Sequence, residues 1–110
     1  MYLKGTSVEE MLQKQDAFER GVTFLTNYAH VLLLIARESN VRMRELATTV
    51  GITERAVQRI VEDLTSSGYL TVKKEGRRNH YEVLTDKPLR HPLAKHCNVG
   101  DLIRFMNHPG

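Results

Sequence analysis

The sequence holds a single cysteine, Cys97, among its 110 residues. No disulfide can therefore close within the chain, and a reducing compartment is the simplest setting. Long apolar runs are missing too. The longest, Val31–Ala36, falls far short of the roughly 20 residues a helix needs to cross a bilayer. The opening stretch MYLKGTSVEEMLQKQ lacks the unbroken apolar segment of a secretory signal, so the expectation is a cytoplasmic protein with no membrane partner. Catalytic signatures are equally scarce. There is no glycine-rich phosphate loop, no GxSxG elbow and no convincing pair of carboxylates, so neither an enzyme nor a cofactor is expected. Internal repeats and low-complexity tracts are also absent.

What is present suits one compact domain over residues 1–110. Hydrophobic residues make up 41% and charged residues 26%, enough for a packed core without staples. The net charge of +3 is unevenly spread. Residues 1–41 carry four basic and five acidic side chains. Residues 42–80 carry Arg42, Arg44, Arg55, Arg59, Lys73, Lys74, Arg77 and Arg78 against five acids. Residues 81–110 are nearly balanced, with four basic and three acidic groups. The basic excess lies in the middle, as a footprint for a polyanion would.

Hydrophobic spacing orders the chain. Ser7 and Glu10 have capping-box spacing and open a helix over 7–20, with Val8, Met11, Leu12, Gln15 and Phe18 on one face. Gly21 breaks it. A second helix, capped by Thr26, runs to about Glu38 and turns Tyr28, Val31, Leu32 and Ile35 inward, widened by Leu33 and Leu34. Val41-Arg42-Met43 alternates enough for a very short strand. A short helix over 44–50 then ends at Gly51, and Thr53 caps the next, which extends over 53–67 to Gly68. Strands follow at Tyr69–Lys74 and His80–Leu84, joined by the polar loop Glu75-Gly76-Arg77-Arg78-Asn79. Pro88 and Pro92 mark a connector, and Asn98 and Asp101 can cap a last helix over 99–107. The division is an N-terminal helix at 7–20, a core at 26–84 and a tail with helix at 85–110.

Residues 44–68 have helix-turn-helix spacing. Ala47 is a methyl where two short helices cross, Gly51 makes the turn and Val57 plugs the second helix, with Leu46, Ile52 and Ile60 completing a small shared core. On the second helix, Val57, Ile60, Val61 and Leu64 face inward. Arg55, Gln58, Arg59 and Glu62 recur on the opposite face, joined near its start by Thr53 and Glu54. Arginine, glutamine and glutamate there match guanine, adenine and cytosine edges. An ordinary solvated face with Glu/Arg pairs has the same residue types, and Glu62 and Asp63 belong to that class because they would repel phosphate. A basic hairpin directly after the helix pair makes a wing: Lys73, Lys74, Arg77, Arg78 and His80 can grip phosphate backbone or the minor groove. The fold class is mainly α with a small β-hairpin (α+β), a winged helix-turn-helix with extra terminal helices.

The run from Leu25 to Val83, above all RELATTVGITERAVQRIVEDL and SGYLTVKKEGRRNHYEV, resembles the winged-helix domain of MarR/ArsR-type prokaryotic transcription regulators. The resemblance implies a homodimer on a pseudo-palindromic double-stranded DNA operator. It places the Thr53–Arg59 region in the major groove and Arg77–Arg78 in the wing, with dimerisation through residues 7–20 and 99–107. A small-molecule effector, if there is one, belongs between the 26–38 helix and the terminal helices. Two alternatives stay open: a winged-helix module for protein or RNA contacts, and a metal- or redox-responsive regulator acting through His96 and Cys97. The helix RELATTV lacks the cysteine pair of ArsR-type metal sensors. His91, His96, Cys97, Asp101 and His108 show no CxxC or HxxxH spacing, so no metal site is assigned and a packed, inert Cys97 is the simpler reading.

Overall fold

The computed structural model describes residues 23–107. The helix expected over 7–20 and His108 lie outside the described residues. Six elements follow in order: α1 (Asn27–Arg37), α2 (Met43–Val50), α3 (Glu54–Ser66), β1 (Leu70–Glu75), β2 (Arg78–Val83) and α4 (Val99–Asn107).

Helix α1 opens where expected, at Thr26, whose Oγ1 accepts from the Ala29 N–H at 3.4 Å. It buries Val31, Leu32, Leu34 and Ile35. Tyr28 departs from the expected inward face. It is 42% exposed, because its hydroxyl reaches across the surface to donate to Asp63 Oδ2 of α3 at 2.5 Å. That hydrogen bond to a carboxylate holds the Tyr28 phenol above its ordinary range, with partial desolvation adding to it.

The short strand expected at Val41–Met43 does not form. Val41 turns its side chain into the core, and the Arg42 N–H donates to Glu45 Oε1 at 3.1 Å, so the α-helix begins at Met43 instead. A single backbone bond, Tyr81 N–H to the Ser39 carbonyl at 2.7 Å, ties this corner to β2. One bond does not make a ladder.

Helices α2 and α3 pack on each other, and α1 packs on both. Between them the chain turns at Gly51, whose φ of 85° lies in the left-handed region that a side chain disfavours. Ala47 accepts both N–H groups of the turn, from Gly51 at 2.9 Å and Ile52 at 3.0 Å. Thr53 then caps α3, its Oγ1 accepting from the Ala56 N–H at 3.0 Å. The apolar residues of α3 fall at helical spacing, and Val57, Ile60, Val61 and Leu64 are all buried. With Leu46, Ala47, Leu70, Tyr81 and Val99 they join the α1 side chains in one core.

The hairpin is tighter than the sequence suggested. Pairing continues to Glu75 opposite Arg78, so the expected five-residue loop shrinks to a two-residue turn of Gly76 and Arg77. Gly76 has φ 63°, and short hairpin turns need just such a left-handed residue. Past β2 the chain folds back through an isolated bridge between Pro88 and Asn98. Backbone bonds from Val99 to Lys87 and from Gly100 to Thr85, each 2.9 Å, fasten the start of α4 to the segment leaving the wing.

Helix α4 is capped as expected. The Asn98 N–H donates to Asp101 Oδ2 at 2.9 Å, and the Asp101 N–H donates to Asn98 Oδ1 at 2.8 Å. The Asn98 N–H, helped by the Arg104 guanidinium, holds the Asp101 carboxyl below its usual 3.8. The ionised form thus favours the folded helix. Its contribution is fully present above 3.8 and is lost as the pH falls through the lower folded value. Amide exchange read by NMR should therefore speed up in α4 relative to α3 on acidification past that point, and Asp101→Asn should abolish the difference. Equal responses of the two helices in the unsubstituted chain would refute it.

Candidate nucleic-acid interface

Because α3 commits Val57, Ile60, Val61 and Leu64 to the core, its remaining side chains are fixed on the outside by geometry. Thr53, Glu54, Arg55, Gln58 and Arg59 are all exposed, as expected. Thr53, Arg55, Gln58 and Arg59 gather with Ala56 and Glu62 around a shallow hollow of about 560 Å³. The donors and acceptors that match base edges thus share one surface over the first two turns of the helix. Further along, Asp63 is engaged by Tyr28, which makes it part of the α1–α3 contact.

The wing displays its cations in a way the sequence did not reveal. Lys73 pairs with His80, Lys74 with Asn79 and Glu75 with Arg78. Strand alternation therefore puts Lys73, His80 and Arg78 on one face of the ribbon and Lys74 on the other, with Arg77 in the turn. Lys73, Lys74, Arg77 and Arg78 are exposed and His80 is half-buried. None of these groups enters an ion pair among the described residues, where the pair found is Arg104–Asp101. Their charge is free to meet an external anion.

One residue escaped the sequence reading. Arg42, just before α2, lines a concavity together with Arg77 and Arg78 of the wing turn. Its only signal in the sequence was membership of the basic middle segment. Thirty-odd residues separate it from the wing, and only the fold joins them.

The tail holds no comparable constellation. Among the described residues no three His, Cys, Asp or Glu side chains come together as a metal would require. Cys97 is half-buried, and His91 Nδ1 already accepts from the Leu93 N–H at 3.1 Å. No described helix is long and apolar enough to cross a membrane.

No curated protein matches the chain. Among solved structures it is similar to MepR, a transcription regulator of the Staphylococcus aureus multidrug efflux pump MepA, with a TM-score of 0.48 and 18% identity. The alignment covers 70% of this chain, which spans 59% of the length of that one. The model of the MarR family matches residues 20–78, more than half of the sequence, taking in α1 to α3, β1 and the wing turn. A helix pair with a glycine turn, followed directly by a basic two-stranded wing, is the architecture those residues build. The chain belongs to the MarR family of winged-helix regulators.

Proposed function

We propose that this protein is a sequence-specific, double-stranded DNA-binding transcription regulator. The first two turns of α3, Thr53 to Arg59, enter the major groove. The wing, from Lys73 to His80, holds the phosphate backbone or the minor groove. Family membership supports DNA binding in general. The observation that supports these particular residues is the pairing of an exposed α3 face rich in base-matching groups with wing cations that have no carboxylate partner among the described residues.

It acts in the cytoplasm as a homodimer, through α4 and the N-terminal segment. Phe105, 78% exposed on α4, is the kind of side chain a second copy would cover. An effector, if one is used, would enter between α1 and these terminal helices. The α3 face offers no large apolar side chain to solvent, which favours nucleic acid over a protein partner.

The test is the salt dependence of binding to duplex DNA, read by fluorescence anisotropy. Each phosphate neutralised contributes about −0.9 to the slope of log K against log salt. Arg77→Ala with Arg78→Ala should weaken binding to cognate and scrambled duplexes alike and flatten the slope by up to about 1.8 per protomer. A slope unchanged by the pair would remove the wing from the interface.

A further inference from the structure

The cleft between the start of α2 and the wing turn has a volume of about 380 Å³. Its polar lining comes from two distant parts of the chain: Asn40 and Arg42 before α2, and Arg77, Arg78, Asn79 and Tyr81 on the hairpin. The Tyr81 N–H bond to the Ser39 carbonyl, at 2.7 Å, pins these two parts together. Every one of the six polar side chains can donate a hydrogen bond, and no carboxylate lines the cleft. Glu45 lies near in sequence, but its Oε1 accepts from the Arg42 backbone N–H. Glu75 is the register partner of Arg78, yet the two form no ion pair.

Three guanidiniums around one cleft repel each other, and nothing in the described chain neutralises them. Tyr81 sharpens the point. It is 3% exposed, and its hydroxyl accepts from Asn79 Nδ2 at 3.5 Å, so its own proton remains to be given to an acceptor. Arginine forks set beside hydroxyl and amide donors are phosphate-binding chemistry. The cleft is open-sided and would leave a small molecule largely in solvent, whereas effector sites bury most of their ligand. An extended polyanion running past it needs no enclosure.

We infer that this cleft is a phosphodiester seat, in which Arg42 and the wing arginines close on a single backbone phosphate of the bound duplex. This rests on the DNA-binding reading and deepens it. The wing then does not grip DNA alone, because Arg42 ties its phosphate contact to the helix-turn-helix.

The experiment is an anisotropy titration of the full chain on duplex DNA across a salt series, with Arg42→Gln, Arg78→Gln, the double variant and Arg42→Lys. Circular dichroism confirms folding, which Arg42→Gln should not disturb because the bond to Glu45 uses the backbone. Arg42→Gln is expected to weaken binding about five- to tenfold near 0.1 M salt on every sequence and to flatten the slope by about 0.9 per protomer. Arg42→Lys should recover part of the loss. The double variant should lose little more than either single one, since the two side chains share one phosphate.

If the unsubstituted chain binds without salt dependence, the DNA-binding reading fails and takes this inference with it. If it binds as expected while Arg42→Gln matches it in affinity and slope, the phosphate seat alone is wrong. Fully additive losses would overturn the shared phosphate. Micromolar binding of inorganic phosphate, abolished by Arg42→Gln while DNA affinity stays unchanged, would overturn it in favour of a small-anion site.

Discussion

Leu46→Ala is expected to cost about 2–5 kcal/mol of folding stability, the largest effect of any single substitution considered. Leu46 is 0% exposed and belongs to α2, which packs against both α3 and α1. Truncation removes three carbons from a site where the neighbours are held by two helix contacts, so the space cannot close freely. A domain of this size is stable by only about 5–15 kcal/mol, so such a loss leaves a measurable unfolded fraction or worse. Urea unfolding should show a lower midpoint at unchanged slope, because the surface exposed on unfolding is nearly the same. DNA affinity should fall by the unfolded fraction and no further in the molecules that remain folded. A loss below about 1 kcal/mol would mean that α2 and α3 can reapproach, and that the helix pair is less rigid than its packing implies.

Gln58→Ala combined with Arg59→Ala should leave the fold intact and abolish preference for the operator. Both side chains are exposed and neither contributes to the core. A lost bidentate base contact costs about 1–3 kcal/mol, or roughly 5- to 150-fold per contact. Binding to scrambled DNA should change far less, since most of it comes from phosphates that the wing still reaches. The measurement is the ratio of cognate to scrambled affinity at one salt concentration, with the cognate site obtained by selection from genomic fragments. An undiminished ratio in the double variant would mean that bases are read elsewhere.

Much of this architecture is legible in the sequence where local chemistry decides it. Thr53 caps α3 because a threonine before an amphipathic run has one good use for its hydroxyl. Gly51 marks the turn through a conformation other residues avoid, and Asn98 with Asp101 announces α4 through reciprocal capping. The same local signals fail where a long-range contact competes. Val41 and Met43 alternate with Arg42 as a strand would, but the side chain of Val41 is taken by the core and Glu45 starts a helix. Tyr28 has the spacing of a buried residue, yet Asp63, on another helix, draws its hydroxyl to the surface. The hairpin loop read as five residues because Glu75, Arg78 and Asn79 are polar. Polarity marks solvent exposure, and an exposed ribbon is as polar as a loop. For the interface, helical spacing sufficed for Arg55, Gln58 and Arg59. Arg42 became visible only when the fold brought it to the wing turn.

The tight turn of the wing bears on what binding must give up. Paired residues up to Glu75 and Arg78 leave only Gly76 and Arg77 outside the ladder, so backbone dihedrals at the cationic tip are already fixed in the free protein. A five-residue loop would have carried its arginines on mobile backbone, each ordered residue opposing association by about 1–2 kcal/mol of conformational entropy. In this ribbon, only side-chain rotamers remain to be frozen when the tip meets DNA. The wing arrives preorganised, and more of its electrostatic attraction survives as affinity.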